Sequence, residues 1–173
     1  LIDKFHTGLQ NGLGEPYIMV PTASLAKVFE EVIGTFGSGG KTIIYMQGKD
    51  FAISRWRLFS LLLGPNAEKR TDEIFSIFES FGIGSLSVVP ESQGKALRLV
   101  VRDCFECSVG TTKGRRCEFT RGMSVGYFSG AFGKDVTCRE TKCRLKGDKV
   151  CEFVLESLDG KSLTQVPATP QPS

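Results

Sequence analysis

The chain has 173 residues, 40 % of them hydrophobic and 24 % charged, and a net charge of +3. That length buries roughly 70 % of its unfolded surface in one core, the apolar content excludes a disordered chain, and so small a positive charge argues against nucleic-acid binding driven by phosphate neutralisation. The longest apolar run, residues 58–63, is interrupted by Ser60 and far too short to span a bilayer, and no stretch reads as a signal peptide.

Residues 1–21, marked by glycine and proline, read as an N-terminal arm. A helix is expected to open at Pro21 and Thr22, with Thr22 as its cap and Leu25, Val28, Phe29, Val32, Ile33 and Phe36 as its buried face. The run GSGG at residues 37–40 stops it, and TIIYM at 42–46, β-branched and aromatic, reads as a short strand. A second helix is expected over residues 51–63, burying Trp56, Phe59, Leu62 and Leu63 and ending at Gly64 and Pro65. Asn66 or Thr71 caps a third, with Ile74, Phe75, Ile77, Phe78 and Phe81 on its apolar face.

After GIG at residues 82–84 the period changes to two. SLSVV at 85–89 and KALRLVVRD at 95–103 read as paired strands, with Leu97, Leu99 and Val101 on one face and Arg98, Val100 and Arg102 on the other. Residues 104–114 read as a loop. A helix from Cys117 is apolar at Phe119, Met123, Tyr127 and Phe128; its glycines suit close packing on a sheet or room for a ligand. Strands at 135–141 and 149–157 flank a turn at Gly147 and Asp148, and residues 159–173 read as a flexible tail. Helices followed mainly by antiparallel strands predict an α+β domain over residues 22–158, a sheet of four or five strands with helices packed on one face.

All six cysteines fall between Cys104 and Cys151. They are too few for a disulfide scaffold, so the pattern suggests local chemistry in a reducing, cytoplasmic setting. Cys117 opens a helix, Glu140 and Cys143 lie three apart near a strand end, and Cys151 returns across the hairpin. Three thiolates and a carboxylate suit a closed, structural zinc site; small core cysteines and a thiol redox switch are the competing readings. Cys104 and Cys107 form a CxxC near Arg102, Lys113, Arg115 and Arg116, cations that would make a redox pair more reactive, while Cys138 shares a strand face with Val136 and reads as packed. GTFGSGGKT at residues 34–42 is not a phosphate loop, because Thr35 stands at one position of the motif and the segment leads into a strand. The basic group at 113–116 reads as a solvated loop.

The elements at 117–156, namely Cys117, the helix spaced by Gly122, Gly126 and Gly130, Glu140 with Cys143, Gly147 with Asp148, and Cys151 with Phe153, resemble the 4-vinyl reductase domain family. The resemblance implies a fold similar to that of a vesicle-tethering subunit and of phenol-sensing domains in bacterial transcription activators. It implies zinc held by Cys117, Glu140, Cys143 and Cys151, and an apolar cavity for a small aromatic or hydrocarbon ligand. The His and Trp of the phenol-sensing pocket are not matched, since the only histidine, His6, lies in the arm and the only tryptophan, Trp56, lies upstream of the sheet. Trp56, Phe59, Met123, Tyr127 and Phe128 are candidate pocket residues, with core packing as the competing reading. The expected function is a zinc-stabilised, homodimeric sensor of small apolar molecules, a binding module rather than an enzyme. The alternatives are a reductase or accessory subunit in tetrapyrrole metabolism, for which no nucleotide, flavin or acid–base motif is found, and a thiol redox sensor.

Overall fold

The computed structural model describes residues 20–64, 66–91, 94–109 and 117–163. Most of the expected arm, the last ten residues of the expected tail, and Lys113, Arg115 and Arg116 lie outside them. Four helices, α1 (Thr22–Phe36), α2 (Ser38–Leu63), α3 (Thr71–Ser80) and α4 (Glu118–Phe132), accompany four strands, β1 (Ser85–Glu91), β2 (Ala96–Arg102), β3 (Val136–Lys142) and β4 (Cys151–Ser157). The strands form an antiparallel sheet in the order β1-β2-β4-β3, so the fold is α+β with the last strand in the interior of the sheet.

Register follows the period-two pattern. Leu97 pairs with Leu155, Leu99 with Phe153 and Val101 with Cys151, and all six side chains are buried. On the other face Arg98 reaches Glu91 and Glu152, and Lys142 reaches Glu152, an ion-paired surface at the polar side of the sheet.

The expected strand at 42–46 is helix. Residues 38–63 form one continuous helix, in which Gly40, Ile44, Gly48, Ala52 and Phe59 are buried. A four-residue repeat therefore runs through TIIYM, and packing on it outweighs the β preference of Thr42, Ile43 and Ile44. GSGG does not separate a helix from a strand. Gly37, at φ 56°, ends α1, and the next three residues begin α2. A Cβ on Gly40 would lie 2.5 Å from Val32 O, so the bare backbone lets the two helices cross closely.

Three smaller expectations also change. Pro21, not Thr22, occupies the cap position of α1, and neither Asn66 nor Thr71 caps α3 through its side chain. Val28, Phe36 and Leu62, expected inside, are 55 %, 62 % and 57 % exposed; with Ile43 and Met46 they leave apolar side chains on the outer faces of α1 and α2. Residues 159–163 are fastened rather than loose. Leu163 is fully buried and donates its N–H to Gly94 O, and Ser162 Oγ donates to the same carbonyl. No helix among the described residues is long and apolar enough to cross a membrane.

Candidate metal centre

The four predicted site residues converge. Cys117 is the residue before α4, Glu140 lies on the inner face of β3 opposite Phe153, Cys143 follows β3, and Cys151 opens β4. All four are buried, and their ligand atoms lie within 4.8 Å of one another. The turn between β3 and β4 is built to hold Cys143. Its N–H donates to Asp148 Oδ2 at 2.8 Å, its carbonyl accepts from Lys146 N–H at 2.8 Å, and Gly147 supplies the left-handed residue at φ 96°.

Cys104 and Cys107, read from sequence as a separate redox pair, belong to the same cluster. They flank a single 3-10 turn, Phe105–Cys107, just beyond β2. Between them Glu106, 1 % exposed, accepts hydrogen bonds from Phe119 N–H at 3.1 Å, Thr120 N–H at 2.7 Å and Thr120 Oγ1 at 2.7 Å. A carboxylate from a distant turn thus satisfies the free N–H groups at the start of α4 and meets the positive end of its dipole. It also fixes Cys107 beside Cys117.

Cys107 Sγ lies 3.4 Å from both Cys117 Sγ and Cys151 Sγ and 3.9 Å from Cys143 Sγ. Cys117 Sγ lies 3.8 Å from Cys143 Sγ and 3.7 Å from Cys151 Sγ. Thiolates bound to one tetrahedral zinc at about 2.3 Å are separated by about 3.8 Å, so the sulfurs already have the spacing of such a shell. Two four-residue groups can be drawn, Cys117 with Glu140, Cys143 and Cys151, and Cys104 with Cys107, Cys117 and Cys151. Glu140 fits a ligand's place. Oε1 accepts the Cys117 N–H at 3.2 Å, whereas the buried Oε2 has no hydrogen-bond partner and only Lys146 Nζ at 4.0 Å. An oxygen left without a donor is costly to bury, and a cation supplies what it lacks.

The electrostatics point the same way. Burial first, and then the charge of Cys143, pushes the Glu140 carboxyl up to about 7. Crowding by Cys104 first, and by Cys107, Cys143 and Cys151, raises the Cys117 thiol. Against the opposing influence of Cys104, hydrogen bonds with Cys117, Cys143 and Cys151 bring Cys107 down to about 4. Cys138 stands apart from both groups; it packs on the inner face of β3, and burial pushes its thiol up to about 12.

The five candidate pocket residues close on one another. Tyr127 contacts Trp56 edge-on at 5.5 Å between ring centroids and Phe128 at 5.0 Å, and Phe59 packs on Phe78, which in turn meets Tyr127. Phe59, Met123, Tyr127 and Phe128 are each at most 2 % exposed, and Tyr127 Oη donates to Thr71 Oγ1 at 3.3 Å. The glycines of α4 face another helix rather than the sheet. Cβ atoms on Gly122 and Gly126 would meet Tyr45 O at 1.9 Å and Lys49 O at 2.3 Å, and one on Gly48 would meet Phe119 O at 2.1 Å.

The family model of the 4-vinyl reductase domain matches residues 97–157. An uncharacterized protein of Methanocaldococcus jannaschii is 34 % identical over 132 residues, 72 % of this chain and 69 % of that protein. A second from the same organism is 28 % identical over 94 residues, 54 % of this chain and 56 % of the relative. Three solved structures share the fold. The phenol-responsive sensory domain of the transcription activator PoxR, with phenol, has a TM-score of 0.68 at 17 % identity, covering 87 % of this chain and 90 % of its own. A vinyl-4-reductase family protein from Methanocaldococcus jannaschii has 0.61 at 18 %, covering 91 % and 95 %. A trafficking protein particle complex subunit 3 from Naegleria fowleri, covalently bound to palmitic acid, has 0.61 at 14 %, covering 79 % and 94 %. The matched residues include the helix and hairpin that assemble the cysteine cluster, and the alignment with the first relative spans most of both chains: this chain belongs to the 4-vinyl reductase domain family.

Proposed function

We propose that this chain is a sensor domain for a small aromatic or apolar molecule, held in shape by a structural zinc ion on Cys117, Glu140, Cys143 and Cys151. The carrying observation is that α4 begins at the cysteine cluster, with Cys117, and continues into the aromatic cluster, with Met123, Tyr127 and Phe128. A ligand entering among the aromatic side chains would displace the helix whose first turn is tied to the cluster, so occupancy and the metal-held hairpin are mechanically joined. The phenol-bound sensory domain of like fold supports an aromatic ligand. A closed four-ligand shell has no open position for an activating water, which favours a binding module over an enzyme. The exposed Val28, Phe36, Ile43 and Met46 support a homodimer through α1 and α2.

Native mass spectrometry tests the reading, since one spectrum reports metal, retained small molecule and subunit number. One zinc per chain, and a mass increase with phenol or a related small aromatic that is reduced in Tyr127→Ala, are expected. Absence of zinc from protein prepared without chelator overturns the metal assignment, and absence of binding across a panel of small aromatic molecules at millimolar concentration overturns the sensor assignment. A thiol switch is the second reading, favoured by the part-exposed Cys107 lying 3.4 Å from two other sulfurs. Counting free thiols before and after mild peroxide decides it: an unchanged count removes it.

A further inference from the structure

The cluster contains more ligands than one zinc ion can use. Cys117, Cys143 and Cys151 form a shared triangle, with Glu140 in contact range of all three. Cys107 Sγ is also placed against all three, at 3.4, 3.9 and 3.4 Å, near the edge length of a tetrahedral thiolate shell. It is held there independently of any metal, because neighbouring Glu106 is anchored by three hydrogen bonds to the first turn of α4. The Glu140 carboxylate, for its part, has a role to return to when not bound, accepting the Cys117 N–H.

We infer that Cys107 is an alternative fourth ligand, exchanging with Glu140 on an ion permanently held by Cys117, Cys143 and Cys151. In the exchange the Glu140 oxygen leaves the ion, the Cys107 thiol loses its proton to water, and its sulfur takes the vacated position. The shell changes from three sulfurs and one oxygen to four sulfurs, with the charge of the ligand set unchanged. The soft thiolate suits zinc at least as well as the carboxylate, so neither state opens the site. The inference rests on the metal reading proposed above.

Cobalt(II) in place of zinc tests it, because the near-ultraviolet sulfur-to-cobalt absorption grows with the number of bound thiolates. Glu140→Gln, which keeps the acceptor for Cys117 N–H, is expected to retain cobalt with the absorption of four thiolates, about one third more than three thiolates give. Adding Cys107→Ser to that variant is expected to return the absorption to three thiolates and weaken zinc binding by more than about tenfold. Cys138→Ser, outside the cluster, leaves both readings unchanged. If Glu140→Gln holds cobalt through three thiolates, or loses it equally with and without Cys107, the inference is overturned while the zinc reading stands. If the wild-type chain binds no cobalt or zinc, the zinc reading itself fails. Glu140→Asp, which withdraws the oxygen but keeps the charge, is read in the same way. Failure of both Glu140 variants to fold in the presence of metal also overturns the inference, since a working substitute would have kept the shell closed.

Discussion

Glu106 directs its carboxylate at one helix end, accepting from two backbone N–H groups and one hydroxyl while 1 % exposed. Hydrogen bonds to a buried charge contribute about 1.5–3 kcal/mol each, and they are not additive when they share one acceptor. Glu106→Gln, which turns an N–H₂ toward donors, should therefore lower stability by about 3 kcal/mol in urea unfolding. Glu140 is the opposite case, a carboxylate that the fold disfavours in its charged form. Its carboxyl is raised from 4.5 to about 7, so its penalty is absent at pH 4, develops between pH 4.5 and 7, and is complete above that. In protein kept free of metal by a chelator, Glu140→Gln should gain roughly 3 kcal/mol on the wild type between about pH 4.5 and 8, the shift converted at about 1.36 kcal/mol per unit. A stability difference that stays flat across that window would show that the carboxylate is already solvated or paired. Sequence reasoning found Glu140 through its spacing from Cys143. It missed Glu106, because an acid in a loop has no periodicity and its partners lie thirteen and fourteen residues away.

At the level of elements, the contact between α2 and α4 depends on glycine in both helices. Gly122→Ala would drive a Cβ to 1.9 Å from Tyr45 O, and only separation of the helices relieves that. A cost above about 2 kcal/mol is expected. Gly34, inside α1, has nothing within 4 Å of its would-be Cβ and no positive φ, so Gly34→Ala should stabilise by about 0.5–1 kcal/mol. Thermal unfolding of the two variants separates glycine required by packing from glycine merely tolerated in a helix. The same glycines explain which elements could be read in advance. In α4, Phe119, Met123, Tyr127 and Phe128 show a helical period despite Gly122 and Gly126. In α2, two of the buried positions are Gly40 and Gly48, which carry no apolar signal, so the β-branched residues between them looked like a strand. Strands β2 and β4 were legible because Leu97, Leu99 and Val101, and Cys151, Phe153 and Leu155, alternate without interruption.

For the whole molecule, the cluster joins three segments: the turn after β2, the start of α4 and the β3–β4 hairpin. A structural zinc ion there contributes on the order of 10 kcal/mol at neutral pH. Chelation should therefore release protection against hydrogen exchange first in the residue 104–107 turn, the first turn of α4 and the hairpin, while α3 and the Phe59–Phe78 contact retain theirs longer. Uniform loss of protection would place the ion's influence on the whole core instead. The metal set was readable from sequence only as far as the hairpin and the helix start, because each of those cysteines sits at an element boundary. The membership of Cys104 and Cys107 depends on where β2 ends relative to β4. That is a matter of sheet order, and the sequence of elements along the chain does not determine it.

Sheet order has a further consequence for how the polypeptide is made. The strand synthesised last, β4, lies between β2 and β3 and pairs with both. While the chain is still emerging from the ribosome, one edge of β2 has no neighbour, and the triangle of Cys117, Cys143 and Cys151 lacks its last corner. Both are completed by the same seven residues. Nascent chains cut short before residue 151 would thus expose a sticky, Leu- and Val-lined strand edge along with unmatched thiols, and a folding chain in the cell has to shield both until its final strand arrives.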